Sequence, residues 1–179
     1  MNHPLLRAPV GLALLLALVS CGTSKPPLDV VEEVDLDRYA GRWYEIASFP
    51  QRFQTGCVAT TADYSRRDDG RIRVENRCRD ETFDGALREV EGVAWVVDPA
   101  EGNAKLRVQF FWPFSGAYWI IELDEDYRYA VVGHPSREYL WILSRTPQID
   151  ASVYDALLER IQAHGYELAP LQRTLQPSS

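Results

Sequence analysis

Gly41-Arg42-Trp43-Tyr44-Glu45 opens the first strand-like run of the chain, after a polar lead-in that contains proline. Gly41 lets two backbones approach closely, or takes a φ that other residues avoid. Trp43 offers a large flat apolar face, and such a face needs a cover. A guanidinium covers it well, because it stacks on aromatic faces and is weakly hydrated. Arg145 lies far along the chain in Trp141-Ile-Leu-Ser-Arg-Thr-Pro147, at the end of the last strand-like run. The pairing expected from these residues is Trp43 under Arg145, plugging one end of a closed sheet. A lone Gly-x-Trp is also an ordinary strand start, so the remainder of the chain decides.

The first residues do not belong to that sheet. Arg7 is followed by the apolar run Val10–Val19, too short for a permanent membrane span. Residues 1–20 read as a secretory signal. Its end, Leu18-Val-Ser-Cys21, resembles a bacterial lipobox, in which Cys21 is the lipidated first residue of the mature chain. Gly22 after Cys21, instead of Asp, implies sorting to the outer membrane, with the body facing the periplasm. Acyl chains such as palmitate contribute about 0.8 kcal/mol per buried CH₂. Residues 21–34 read as a lipidated terminus and an extended, mobile tether. Removal of the signal leaves 159 residues, enough for one domain with a true core, assigned to 35–170 with a tail at 171–179. It also leaves 18 basic against 26 acidic side chains, net −8, which argues against nucleic acid and against simple adhesion to anionic lipid. With Cys21 acylated, Cys57 and Cys78 remain as an even pair in an oxidising compartment and are expected to form a disulfide. Zinc is the rival reading, but two cysteines without a nearby histidine make a poor site.

From residue 41 to 145 the pattern is eight short apolar or alternating runs with tight turns, Asp68-Asp-Gly70 among them. Regularly spaced strands without intervening helices imply an all-β sandwich or an up-and-down barrel, and eight antiparallel strands enclose room for one small ligand. One helix is expected at about 150–165. Asp150 is its N-cap, Val153, Leu157 and Ile161 form its apolar stripe, and Gly165 is its stop. That single stripe places it on the outside of the sheet. The tail from Gln172 reads as loosely ordered.

Three landmarks then fall in order: Gly41-x-Trp43, Leu123-Asp-Glu-Asp-Tyr-Arg-Tyr-Ala-Val-Val132 and Leu143-Ser-Arg145. Together they resemble the three sequence motifs of the lipocalins. Tyr39–Ala47, Tyr64–Gly70, Phe110–Phe114 and Tyr139–Pro147 are similar to the bacterial outer-membrane lipoprotein members of that family. The resemblance covers about residues 35–170. It implies an eight-stranded antiparallel barrel with a flanking helix, closed at the Trp43/Arg145 end, and apolar ligands. Relatives of this kind can lack the Cys57/Cys78 pair, so the bridge rests on compartment and count alone. Its side-chain parity relative to the hairpin is left open, a bulge being one way to bring the two sulfurs to the same face.

Alternation divides each strand into inward and outward sets. If Arg145 faces in, so do Trp141 and Tyr139. Val108 and Phe110 form the apolar face of the fifth strand. Val90, Gly92 and Ala94 line the fourth, where the small residues are expected to leave space. Tyr118 and Ile120 line the sixth. Thr60 and Ala62 in the second strand, with Val74 and Asn76 in the third, complete the expected ligand-binding wall. A solid core is the alternative. With Tyr118, Tyr139 and Asn76 as polar points and few charges, the lining suits a long acyl chain: a fatty acid or a lysophospholipid. The Trp112-Pro113-Phe114 loop at the open end either touches the bilayer or packs on the rim as a lid. No catalytic signature is present, no cofactor or metal is implied, and the expectation is a binding protein and not an enzyme. The alternatives are a lipoprotein that binds another protein, or a thiol-dependent lipid isomerase should Cys57 or Cys78 be unpaired. A homodimer is compatible with the sequence, which identifies no oligomeric state.

Overall fold

The computed structural model describes residues 25–178, so the signal segment and Cys21 lie outside the described residues. Eight strands form the body: β1 Gly41–Ser48, β2 Cys57–Arg66, β3 Ile72–Asp80, β4 Leu87–Val96, β5 Lys105–Phe111, β6 Phe114–Leu123, β7 Tyr129–Gly133 and β8 Leu140–Ser144. Each pairs antiparallel with its sequence neighbour, and β1 pairs with both β2 and β8. That double pairing closes the sheet into a barrel and leaves no free edge among the eight. The expected eight-stranded antiparallel barrel is what forms. A short helix, α1 (Leu36–Tyr39), precedes β1, and α2 (Ala151–Ala163) follows β8.

Alternation along the strands separates two apolar layers. The inner one contains Trp43, Val74, Leu106, Ile120, Val132 and Leu143. The outer one packs α2, through Leu157 and Ile161, on Ile46, Val131, Leu140 and Ile142. The helix therefore lies outside the barrel, as its single stripe predicts, and Gly165 ends it at φ +81°. Asp150 occupies the N-cap position, but its side chain makes no capping hydrogen bond.

Three segments depart from expectation. The tether is not mobile throughout: from Leu28 onward it is docked. Leu28 and Val34 are buried, Val31 N–H donates to the Ile120 carbonyl and Val34 N–H to the Gly102 carbonyl. Apolar residues at alternating positions gave this stretch a reason to dock that its prolines obscured. β6 begins at Phe114 and not near Tyr118, so the β5–β6 connection is only Trp112-Pro113. Ser115, Gly116 and Ala117 thus lie in the ladder, where Val108 pairs with Gly116 and Arg107 with Ala117.

The tail is the third departure, because it is built into the wall. The β1–β2 ladder ends at Tyr44 with Thr61. Above that point a ninth strand, β9 (Gln172–Arg173), takes up β1 at Ala47 and Ser48. Thr174 N–H donates to the Ile46 carbonyl, and Ala59 N–H donates to the Leu175 carbonyl. The last residues thus fill a split between β1 and β2, supplying backbone partners that the two strands no longer give each other.

Candidate ligand-binding site

The floor is built around Trp43, which is 0% exposed. The Arg145 guanidinium lies over its ring at 3.9 Å. Arg145 donates to the carbonyls of Tyr127 (3.2 Å), Arg42 (2.9 Å), Arg38 (2.7 Å) and Tyr39 (3.2 Å), while Trp43 Nε1–H donates to the Tyr39 carbonyl. Burial pulls the Arg145 pKa below its ordinary value. Gly41 sits at φ +92°, where a Cβ would also press on the guanidinium at 3.3 Å. The residue pair expected to meet does meet, and it closes this end.

A second layer lies above the floor. The Tyr118 hydroxyl bonds to those of Tyr39 (2.8 Å) and Tyr64 (2.9 Å). Burial pushes all three phenols up, Tyr64 to about 12. The space they leave, bounded also by Ile72, Ala94 and Leu106, is about 10 Å³, roughly one water's worth. This layer revises several expectations. The Tyr118 hydroxyl is engaged within the protein and is not a free polar point. Val74, Ala94 and Ile120 are packed into the lower core instead of lining open space. Gly92 leaves no room either: the Phe110 ring occupies it, at 2.6 Å from where a Cβ would be. A small residue on one strand makes space only if its neighbour does not lean across.

Toward the opposite end the inner faces change. Ala62, Asn76, Val90, Val108, Phe110 and Trp141 share the inward parity yet are only half buried, as is Tyr139 just before β8. Inward-facing side chains that keep accessible surface make this the less tightly packed end of the barrel. Tyr139 stacks on Trp141 at 6.2 Å, giving one wall an aromatic face. Thr60 also belongs to this wall but is buried. Cys57 and Cys78 are bonded, with sulfurs 2.04 Å apart. A bulge between Val58 and Thr61, with Ala59 at φ +52°, turns Cys57 to the inner face that Cys78 occupies. Without that extra residue the parity would place Cys57 outside.

Sequence reading gave Glu45 no role. It is 6% exposed and shares the inward face with Trp43. Its carboxylate accepts from Ser48 Oγ (3.0 Å), Gln54 Nε2 (2.8 Å) and Thr174 Oγ1 (2.5 Å). Gln54 in turn accepts from Trp141 Nε1. A pocket of about 250 Å³ at the open end is lined by Glu45, Ser48, Gln54, Cys57, Gln172 and Thr174, among others. Parity counted from Trp43 would have found Glu45; its partners come from segments that no local pattern connects to it. Among the described residues no group of three His, Cys, Asp or Glu side chains is placed to hold a metal ion.

A barrel closed at one end by a Trp–Arg plug, with one helix outside, defines a class, and a lipocalin-like domain model matches residues 34–176. The chain belongs to the lipocalin family. It is 43% identical over 163 residues to temperature-induced lipocalin-1 of Arabidopsis thaliana, covering 86% of each chain. It is 42% identical over 164 residues to the outer membrane lipoprotein Blc of Escherichia coli, covering 90% of this chain and 92% of that one. Among solved structures, insecticyanin from the tobacco hornworm Manduca sexta matches with a TM-score of 0.67 at 20% identity, covering 87% of both chains.

Proposed function

We propose that this protein is a lipid-anchored lipocalin that binds, stores or carries single-chain lipids, fatty acids or lysophospholipids, in its barrel. The observation that carries the reading is the half-buried apolar and aromatic wall above a sealed floor. Each CH₂ that enters contributes up to about 0.8 kcal/mol, less the ordering costs of association. The test is native mass spectrometry of protein purified from its own host, followed by identification of extracted lipid. A stripped sample should then take up oleate or lysophospholipid at micromolar levels. Failure to do so removes lipid handling from the account.

Anchoring at Cys21, in the outer membrane and facing the periplasm, is part of the same proposal. Likeness to an outer membrane lipoprotein supports it. So does the course of the amino-terminal arm. Arg137, in the β7–β8 loop at the open end, donates to the Pro26 carbonyl at 2.9 Å. The arm starts beside the mouth, runs down the outside of the barrel and ends at the floor, where Tyr127 Oη accepts from Asp35 N–H. A chain tied to a bilayer just before Pro26 would hold its mouth close to that bilayer. The same rim carries exposed Phe53, Phe111, Trp112 and Phe114, with Trp112 at 86%. This exposure favours contact of the Trp112 loop with the bilayer over a lid packed on the rim. The thiol-dependent isomerase reading needs Cys57 or Cys78 unpaired, and the two are joined.

A further inference from the structure

Beyond Tyr44 and Thr61, the last pair of the β1–β2 ladder, the wall is closed by the tail. β9 pairs with Ala47 and Ser48 on one side, and Ala59 N–H donates to the Leu175 carbonyl on the other. A strand thus stands between β1 and β2, and lifting it would leave a gap of two strand spacings, about 9–10 Å. Both borders of that gap are fixed. β1 is paired with β8 as far as Ser48 and Trp141, and Ile46 packs under α2. β2 is bonded to β3 at its first residue, Cys57, through Cys78. The tail is the movable part. It leaves the body at Leu171, which packs with Leu168 on the outer apolar layer, and none of residues 172–178 is buried. What holds it is mostly hydrogen bonds: Thr174 N–H to the Ile46 carbonyl, and Gln176 Nε2 to the carbonyls of Glu45 (2.9 Å) and Thr60 (2.8 Å). The Arg173 guanidinium adds a contact over the Tyr154 ring at 4.1 Å. A segment with so little apolar burial opens at a fraction of the global unfolding free energy.

The closed seam is also imperfectly satisfied. Thr60 Oγ1 on β2 and Gln176 Oε1 on the tail are buried without a hydrogen-bond partner among the described residues, and water reaches both once the tail lifts. The pocket of about 250 Å³ lies along this seam. Ser48 and Cys57 line it from the two borders, Gln54 from the β1–β2 loop, and Gln172 and Thr174 from the tail. On its inner side stands Glu45, and Gln54 joins Glu45 to Trp141 of the inner wall. We propose that residues 172–178 are a strap over a side entrance: the strap lifts off the seam while β1 and β2 stay in place, and an alkyl chain passes sideways into or out of the barrel. The proposal rests on the lipid-binding reading above and adds a route and a gate to it. A gate of this kind does not choose the ligand. It changes entry and exit by the same factor and leaves the affinity alone.

The test has two arms, both on the stripped full chain. The first needs no ligand. In native-state amide exchange, the Ala59 and Thr174 N–H groups should exchange well before the paired amides of β4 and β5. Exchange of both only together with the whole barrel would show that the strap does not lift, and overturns the gate. The second arm is stopped-flow uptake and release of a dansyl-labelled undecanoate. Gln176→Ala removes two of the strap's bonds and should raise both rates about tenfold, the size of one to two hydrogen bonds, with Kd unchanged. Ala47→Cys with Arg173→Cys, facing positions of the β1–β9 pair, should bolt the strap on oxidation and slow both rates. The two variants act in opposite directions, so a folding defect in one leaves the other readable. Rates that neither variant moves, or a change confined to Kd, overturn the side entrance while lipid binding stands. Uptake by no form overturns the lipid-carrier reading, and the entrance with it.

Discussion

Arg145 is held by carbonyl oxygens and an indole face, with no carboxylate among its hydrogen-bond partners in the described residues. Replacing it with alanine removes the cover of Trp43 and strands several acceptors, so Arg145→Ala should cost about 3 kcal/mol in urea unfolding. Arg145→Lys should recover less than half, because an ammonium cannot reproduce the planar fork. The three linked phenols make a second prediction. Their folded-state pKa values are raised, Tyr64 to about 12. Their contribution is therefore complete below the ordinary tyrosine range and is lost as pH rises through the raised values. Phenolate absorbance should show a subset of the nine tyrosines ionising late and together with alkaline unfolding. Early, independent ionisation of all nine would contradict the burial. Trp43 and Arg145 were legible in the sequence because each is chemically incomplete alone. Glu45 was not, since its partners Gln54 and Thr174 reach it only through the folded rim and tail.

At the level of elements, α2 is tied to the barrel by more than its apolar stripe. His164 Nε2 lies 2.9 Å from Glu122 Oε1, and Arg160 lies 3.3 Å from the other oxygen. Burial works to raise the Glu122 pKa, but His164 and Arg160 outweigh it and hold the group below its ordinary 4.5. A depressed carboxylate contributes stability above its unfolded pKa and loses it as pH falls through the folded value. Glu122→Gln should therefore flatten the decline in melting temperature between about pH 5 and pH 3. An unchanged acid limb would show that the link contributes nothing. The tail gives a companion test. Removing 172–179 deprives Ile46 and Ala59 of backbone partners and Glu45 of two donors, one to its carboxylate and one to its backbone carbonyl. Amide exchange at Ala59 should accelerate strongly while β4 and β5 stay protected, and stability should fall by about 2–4 kcal/mol. Strand order and the outer helix were legible, because alternation and a 3.6-residue stripe are local signals. The tail and arm were not, because each is stabilised by backbone groups that β1, β2 and β6 leave open only after they have curved.

For the molecule as a whole, the start of the arm, the mouth and the aromatic tip lie at one end, and this arrangement predicts how the protein meets a bilayer. An unacylated chain should sediment weakly with phosphatidylethanolamine vesicles through Trp112 and Phe114. Trp112→Ala should reduce that retention severalfold, and lipid-phase quenchers should lose their effect on the indole. Equal retention of the variant would assign the tip some other use. The seam between β1 and β2 has one more consequence, for the order of assembly. β1 emerges early in synthesis, yet its partner β8 comes about a hundred residues later and the segment that fills its other side comes later still. A ribosome or translocon that releases this polypeptide N-terminus first therefore cannot release a finished cylinder in stages. Strands two to seven can zip progressively, but the circle is completed in one late event, when the final residues arrive.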